Sequence, residues 1–559
     1  MFKNKSVIFK LWHFLRTYIL TIKRFDLFLQ GTLLIVILLE TNVLLLLRRD
    51  ATEGFNSAII EDLVIVAGGV VECALGAILG WWGGGRRHFA LSAWLAATSA
   101  AGLLVLAFPY TYSNPPNVEL CGGDTISGSR PPSVIGIDDN APARTSTLIL
   151  TFILCALTQI SIFAHGFTYL DDHEPHNGPY FYGILISIRL SLGLSGTNWL
   201  RASSTSDDWW EAHLSICMLT FMFAVLFTLF PKRMPQWEDE EILVDTDFLP
   251  SLGRVARNKA IILQTGALAC LTISVLCFVN YDVAYVQARF NIEGIRQDPR
   301  TSRTLTDVFR SFVIIFFIMI FRVRFSVWRR DGVKANTASR VGGVVCIFVA
   351  VFFIVLAALS CDVAEIEGFE QSGYIQPACS AQCGCSSERY GFSPVCGLDS
   401  STTFFSPCNA GCSELEDLNG FIVYNCTCGA QRAVRGACAL DSCRLVFGVY
   451  QIFYTLILAV SGAAFVMQSM VLVRAVRRVD KPTAMGLSSA VIALVSFVLG
   501  KLLYMLISYL TCGYSHDGLC LLHKPSLWTM CAASSFFALA SAGVSLLASR
   551  VPPEPTTEL

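Results

Sequence analysis

Long apolar blocks alternate with short polar connections along most of this chain. Each block has roughly the 20 residues that a helix needs to cross a bilayer core about 30 Å thick. Six blocks come before the polar segment 231–260, and six come after it. The predicted spans are residues 28–47, 58–82, 89–108, 146–167, 180–200, 213–230, 261–281, 305–321, 341–360, 445–471, 486–510 and 527–548. This pattern predicts an all-α membrane protein with twelve transmembrane helices in two six-helix halves.

The composition indicates that lipid is the main solvent of the chain. Hydrophobic residues make up 54% of it and charged residues 15%, whereas a soluble domain has roughly 45–50% and about 25%. The formal net charge is −1, so there is no basic excess of the kind that would predict a nucleic-acid partner.

The distribution of basic residues predicts the orientation. An even number of spans puts both termini on one side, and lysine and arginine are more numerous on that side. Both termini are therefore expected in the cytoplasm, because cytoplasmic loops carry the positive excess. A basic amphipathic leader without a small-residue cleavage site precedes the first span, which indicates a signal anchor.

Cysteines are concentrated in the longest hydrophilic segment, where eleven of the 21 lie between Cys361 and Cys443. Such clustering is typical of an oxidising compartment, so this segment is expected outside the cell, in agreement with the charge bias. The predicted organisation is a cytoplasmic segment 1–27, a first half 28–230, a cytoplasmic linker 231–260, three helices in 261–360, an extracellular domain 361–443, three helices in 444–548 and a cytoplasmic tail 549–559.

The cysteine-rich segment resembles a Kazal-type domain. Cysteines at 379, 383, 385, 396, 408 and 412 are interspersed with the motifs Pro-Val-Cys-Gly and Ser-Pro-Cys. Two six-helix halves joined by a linker are the layout of the major facilitator architecture, in which the halves rock about a central cavity. Because it has a Kazal-like insertion between its ninth and tenth spans, the chain resembles the organic anion transporting polypeptides.

Further motifs extend this resemblance over nearly the whole chain. Gln30-Gly31 opens the first span as in that family, and GGGRRH, residues 83–88, lies between the second and third spans. The stretch FTYLDDHEPHNGPYFYGI, residues 167–184, looks like the family's segment entering the fifth span, with Arg189 following at the usual distance. FPKRMP, residues 230–235, resembles the end of the family's sixth span.

The resemblance implies a sodium-independent secondary transporter in the plasma membrane that moves amphipathic organic anions by alternating access. The implied substrates are steroid conjugates, bile-acid-like compounds, eicosanoids or iodothyronines. No cofactor, metal site or enzymatic activity is expected, because the sequence lacks a Walker-type glycine loop, metal-ligand spacing among its histidines and a Ser/His/Asp constellation.

Two departures from the family pattern keep other functions open. The signature near the sixth span is present only as DDWWEAHLS, where Asp207 and Trp210 match and Trp209 occupies an arginine position. In the eleventh span, Ala493 stands where the family usually has arginine. The alternatives are a non-transporting receptor or adhesion protein that uses segment 361–443, and a transporter with a shifted preference for neutral or cationic solutes.

Charged residues inside the spans are the candidates for the substrate pathway. A charge at the bilayer centre costs roughly 2.5–3.5 kcal/mol, so such groups usually face a cavity or a partner. The candidates are Arg189, Lys501, Glu72 and Glu40. Arg189 and Lys501 come from opposite halves and are expected to clamp one anion, unless each pairs with Glu72 or Glu40 to hold helices together. Arg310, early in the eighth span, is expected to extend to the membrane surface.

The resemblance also implies a set of disulfides. The expected disulfide cysteines are Cys361, Cys379, Cys383, Cys385, Cys396, Cys408, Cys412, Cys426, Cys428, Cys438 and Cys443. The implied pairings are Cys385 with Cys408, Cys379 or Cys383 with Cys412, and Cys396 with Cys426 or Cys428. Two further expected pairs are Cys361 with Cys438 or Cys443, and Cys512 with Cys520. Asn425 begins an Asn-Cys-Thr sequon and is the expected glycosylation site.

Overall fold

The computed structural model is mostly helical. It describes residues 20–51, 57–108, 119–121, 140–204, 209–232, 247–290, 309–320, 334–361, 366–370, 373–385, 392–399, 402–418, 421–428, 432–436, 438, 441–516 and 519–551. The predicted terminal segments 1–27 and 549–559 therefore lie largely outside the described residues.

Helices α1 to α6 form the first half. They are α1 (Ile22–Ala51), α2 (Ser57–Trp81), α3 (Arg87–Val105), α4 (Ala141–Ser161, Ile162–Phe167 and Thr168–His173), α5 (Gly178–Ser204) and α6 (Trp209–Thr228). Within this half, α1 packs against α5 and α4, and α3 packs against α6.

A short helix in the linker, α7 (Phe248–Arg257), precedes the second half. The second half comprises α8 (Lys259–Thr272, Ile273–Cys277 and Phe278–Phe290), α9 (Phe309–Ile320), α10 (Ala335–Ala358), α11 (Asp441–Arg474), α12 (Lys481–Ile492, Ala493–Gly500 and Lys501–Leu510) and α13 (Thr529–Ala548). Here α10 packs against both α11 and α13.

Apolar side chains face outward along these helices, as a lipid solvent requires. On α10, Val344, Phe348, Val351 and Ile354 recur every three or four residues and are 47% to 56% exposed. Among the described residues, ten helices are long and apolar enough to cross a membrane. The helices α5 and α9 occupy the positions of the fifth and eighth predicted spans. The predicted all-α membrane fold is confirmed, and each predicted span coincides with one helix.

Several helices extend beyond the apolar blocks that predicted them. Helix α1 begins at Ile22 instead of residue 28, and α8 continues to Phe290 instead of ending at residue 281. Hydropathy marks only the part of a helix that lipid surrounds. Polar turns outside that part keep their backbone hydrogen bonds in water and so remain helical.

Helices α4, α8 and α12 each contain a stretch of wider π-helical turn, at Ile162–Phe167, Ile273–Cys277 and Ala493–Gly500. Such stretches are rare and frequently occur at functional sites. The stretch in α12 ends immediately before Lys501, and the stretch in α4 leads toward Asp171 and Asp172. Two of these helices therefore carry charged residues next to the irregular turns.

Glycines allow the two halves to approach closely along α2 and α12. A Cβ atom added at Gly80 would lie 2.3 Å from the carbonyl oxygen of Pro482, and one added at Gly486 would lie 2.3 Å from that of Gly76. Small residues of this kind let helix backbones touch in membranes. A second contact joins α5 to α11, where the Ser469 hydroxyl donates to the Tyr182 oxygen at 2.7 Å.

The cysteine-rich domain, residues 361–443, contains a small antiparallel sheet. The sheet order is β4-β3-β7-β6-β5, formed by β3 (Val395–Gly397), β4 (Thr403–Phe404), β5 (Glu414–Leu418), β6 (Phe421–Asn425) and β7 (Arg432–Arg435). Two shorter hairpins lie beside it, β1 (Phe369–Glu370) with β2 (Gly373–Tyr374), and β8 (Cys512–His516) with β9 (Leu519–His523).

All eleven cysteines of this domain are in disulfides. The pairs are Cys361–Cys443, Cys379–Cys428, Cys385–Cys408, Cys396–Cys438, Cys412–Cys426 and Cys383–Cys121, and Cys512–Cys520 joins the hairpin of β8 and β9. The structure thus contains the expected Cys385–Cys408 and Cys512–Cys520 bonds, and it selects Cys443 as the partner of Cys361.

Two implied pairings are wrong, and the sheet register explains both. Glu414, the first residue of β5, lies opposite Asn425, the last residue of β6. Cys412 comes just before β5 and Cys426 just after β6, so the antiparallel pair brings both cysteines to the same end, where they bond. This leaves Cys379 to pair with Cys428.

The second wrong pairing concerns Cys396, which bonds to Cys438. Thr403 lies opposite Cys396 in the ladder of β3 and β4, and the Cys438 backbone N–H donates to the Thr403 hydroxyl at 3.0 Å. The strand partner therefore holds Cys438 beside Cys396.

Candidate functional site

The charged candidates of the first half lie together around Arg189 on α5. Arg189 is half-buried and close enough to Glu40 on α1 and Glu72 on α2 for its charge to act on both carboxylates. The Gln159 side chain on α4 donates to Glu40 Oε2 at 2.6 Å. Four helices thus contribute to one polar cluster, which contains one arginine and two glutamates.

Lys501 lies in a different cluster, at the contact between α2 of the first half and α12 of the second half. This contact is called here the seam. Its Nζ is 2.7 Å from Asp62 Oδ1, near the start of α2, and the Lys501 side chain is 4% exposed. The ammonium also lies 4.7 Å from the centre of the Tyr281 ring, whose hydroxyl donates to Asp62 Oδ2 at 3.5 Å. The alternative that Lys501 pairs with Glu72 or Glu40 is wrong, because α12 packs beside α2 at Asp62.

A third cluster joins the halves at the end of the bundle where α7 lies, called here the linker face. Asp171 at the end of α4 bonds to Arg474 at 2.8 Å and to Lys481 at 2.6 Å. Asp172 bonds to the same lysine at 2.7 Å and to Arg87 at 2.6 Å. These five residues form the linker-face latch, in which both aspartates belong to the first half and Arg474 and Lys481 to the second.

The latch is largely shielded from water. The side chain of Asp171 is 0% exposed and that of Lys481 is 7% exposed. A Cβ atom added at Gly178 would lie 2.3 Å from Asp171 Oδ1, so glycine leaves space for this carboxylate. Buried charges of this kind are costly unless paired, which makes the latch specific to the conformation in which the halves meet.

Helix α7 adds a further contact at the linker face. Arg254 donates two hydrogen bonds to Asp480, at 3.0 and 2.7 Å, and the Ser251 hydroxyl donates to the same carboxylate at 2.7 Å. The Phe248 ring lies 5.5 Å from the Trp81 ring at the end of α2. The linker helix therefore contacts both halves beside the latch.

Arg310 does not extend to the membrane surface, so that expectation is wrong. The residue is 6% exposed, its guanidinium donates to the Gln451 side-chain oxygen, and it lies 4.9 Å from the centre of the Tyr454 ring. Since α9 packs on α11, the side chain finds polar and aromatic partners inside the second half. Tyr450 and Tyr285 continue this buried aromatic cluster, with ring centres 5.8 Å apart.

The sequence pattern did not indicate Asp62 or the latch as sites. Asp62 lies near the start of its span, where a charge is ordinarily solvated, and Asp171 and Asp172 stand out in the sequence only as part of a family-like motif. A search for acidic residues at the ends of spans, on the same side of the membrane as a cluster of basic residues, would have found them. Among the described residues, no group of three or more His, Cys, Asp or Glu side chains is arranged to hold a metal ion.

Comparisons with known proteins point to one family. A family model described as the Organic Anion Transporter Polypeptide family matches residues 60–523. The chain is 22% identical over 490 residues to solute carrier organic anion transporter family member 2B1 of Rattus norvegicus, covering 70% of this chain and 69% of that protein. It is 20% identical over 457 residues to member 74D of Drosophila melanogaster, covering 73% of this chain and 53% of that protein. The chain thus spans between about half and seven-tenths of these relatives.

The fold itself is similar to that of a solved transporter structure. A bacterial homologue of the iron transporter ferroportin, in its outward-facing state, superposes with a TM-score of 0.51 at 12% identity and covers 94% of this chain and 100% of that one. At so low an identity, the likeness concerns the fold alone. It supports the two-halved major facilitator architecture that the span pattern predicted.

Proposed function

The chain belongs to the Organic Anion Transporter Polypeptide family, and from this premise we propose a sodium-independent secondary transporter of amphipathic organic anions that works by alternating access. The proposed substrates are large anions such as steroid conjugates, bile-acid-like compounds, eicosanoids or iodothyronines. The proposed site of action is the plasma membrane.

The observation that carries the proposal is the linker-face latch. Asp171 bonds to Arg474 and Lys481, so its buried ion pairs cross between the halves instead of joining helices within one half. In alternating access, contacts at one face must break while contacts at the other form. Charged pairs suit this role, because their charges regain water when the face opens and so recover part of the lost interaction.

Anion recognition is assigned to Arg189. Glu40 and Glu72 lie within electrostatic range of its guanidinium, and an incoming anionic group is expected to compete with them for this charge. Glu40 is also held by Gln159, so Glu72 is the carboxylate that the substrate displaces more readily. Lys501 is assigned to holding the seam through Asp62, because this pair already satisfies both charges.

The proposed topology places both termini and the linker in the cytoplasm and residues 361–443 outside. The disulfides of the cysteine-rich domain support this orientation, since they form and persist in oxidising compartments. The sequon asparagine, Asn425, lies half-buried at the end of β6, with its amide 3.4 Å from Glu414 Oε2. A mobility shift on deglycosylation that is lost in Asn425→Gln would place a glycan there.

Uptake of a fluorescent organic anion into cells that express the chain tests the function. Uptake is expected to saturate and to stay unchanged when choline replaces sodium. Arg189→Ala is expected to abolish uptake at equal surface abundance, whereas Arg189→Lys keeps the charge and part of the activity. Uptake that is unaltered in Arg189→Ala would exclude this arginine from recognition, and its absence in the parent protein would refute anion transport.

The charge balance around Arg189 favours a second candidate, a preference for neutral or cationic solutes. One arginine faces two glutamates there, which leaves a formal surplus of negative charge in the described cluster. Competition between matched anionic and cationic probes separates the two candidates. Inhibition by the cation alone would favour the second one.

A further inference from the structure

The cysteine-rich domain contains an odd number of cysteines. Eleven lie between Cys361 and Cys443, and ten of them pair with one another. An odd cysteine in an oxidising compartment needs a partner elsewhere or remains a reactive thiol. The eleventh, Cys383, is bonded to Cys121, which comes from the connection between α3 and α4 in the first half.

The residues around Cys121 are built into the domain. Leu120 is 6% exposed and belongs to the same buried cluster as Val395 and Tyr424. The Cys121 backbone N–H donates to the Cys412 carbonyl oxygen at 2.7 Å. A piece of the first half therefore supplies part of the domain's core, its hydrogen bonding and one of its disulfides.

The same domain is attached firmly to the second half. Cys361, after α10, and Cys443, in α11, close its base. Phe405 packs on Tyr514 of the β8–β9 hairpin, with ring centres 5.7 Å apart, and Tyr374 packs on the same tyrosine at 5.5 Å. This hairpin connects α12 to α13, so the domain rests on the second half at two places.

We infer that the cysteine-rich domain is a covalent bridge between the two halves, closed by the Cys121–Cys383 disulfide. The bridge lies at the end of the helical bundle that carries the cysteine-rich domain, opposite the linker face. It limits how far the halves separate at that end. Because the domain is bonded to the first half through Cys121 and closed on the second half by Cys361–Cys443, the two halves cannot separate completely at this end.

Cleavage of the linker tests the covalent bridge directly. A protease site inserted after Glu240 in the full chain allows the two halves to be cut apart in membranes after free thiols are blocked. The cleaved halves are expected to migrate together on a non-reducing gel and separately after reduction. With Cys121→Ser/Cys383→Ser, the halves are expected to separate without reduction.

The matched control is Cys512→Ser/Cys520→Ser, which removes a disulfide inside one hairpin of the second half. Its cleaved halves are expected to remain joined. Parent halves that separate without reduction, or halves of the Cys121 variant that stay joined, would overturn the bridge. Either result is read on denatured protein, so a folding defect does not obscure it.

Thiol labelling measures whether the disulfide limits opening of the halves. Val498 on α12 faces Gly69 on α2 across the seam, at 3.2 Å from the position of an added Cβ atom. Val498→Cys, labelled from outside by an impermeant maleimide, is expected to react severalfold faster when Cys121 and Cys383 are serine. The same serine variants without the reporter give the background. An equal labelling rate with and without the bridge would show that the bond does not limit opening.

Discussion

The linker-face latch makes a quantitative prediction for Asp171→Asn. The substitution keeps the size of the side chain and removes the charge that Arg474 and Lys481 share. If the latch closes this face, the variant populates the conformation that is open at the linker face more often than the parent protein does.

The size of the effect follows from burial. Removing one partner of a buried ion pair costs roughly 3–5 kcal/mol. Arg474 is 26% exposed and Lys481 keeps its bond to Asp172, so a smaller cost of about 2–3 kcal/mol is expected. Since each 1.4 kcal/mol is a factor of ten, the ratio of closed to open molecules falls by about 30- to 150-fold.

The assay is thiol labelling from the linker face. Ala490 on α12 is 5% exposed, and its Cβ lies 3.1 Å from a Cβ atom added at Gly76. In inside-out vesicles, Ala490→Cys is expected to react with an impermeant maleimide much faster in the Asp171→Asn background. The protein without the reporter corrects for native cysteines.

Glu174→Gln neutralises a nearby carboxylate that bonds to Asn177 at 2.7 Å and is not part of the latch. It is expected to leave the labelling rate unchanged. Equal rates for Asp171→Asn and the parent protein would show that these ion pairs do not hold the linker face closed.

Three further predictions follow from the seam and the domain. Lys501→Met leaves the Asp62 carboxylate without its cation and is expected to lower thermal stability by several degrees, while the double variant with Asp62→Asn recovers most of the loss; no recovery would exclude the pairing. Gly80→Ala places a methyl group against a backbone carbonyl of α12, and a cost of about 1–3 kcal/mol is expected to lower surface abundance and uptake; normal values of both would contradict this contact. Cys385→Ser and Cys408→Ser are expected to reduce maturation along the secretory pathway equally, and the double variant is expected to reduce it no further, because the same single bond is lost in each case. Additive defects would argue against the pairing.

Local sequence features determined much of the architecture. The apolar blocks located the helices because burial in lipid depends on each segment's own side chains. Eleven clustered cysteines identified a disulfide domain, because such clustering is typical of an oxidising compartment whichever cysteines pair. The resemblance indicated the family and supported Arg189 as a candidate, and in the structure Glu40 and Glu72 lie within electrostatic range of this residue.

Partner choice depended on the tertiary structure. Lys501 bonds to Asp62, Arg310 turns inward to Gln451, and Cys383 reaches Cys121 across 262 residues of sequence. Each of these contacts depends on which helices and strands become neighbours after folding. Spacing along the chain carries no such information, because the free energy of an ion pair or a disulfide depends on distance in space. The sequence therefore determined what each segment is, and the packing of the two halves decided what each charged or thiol group bonds to.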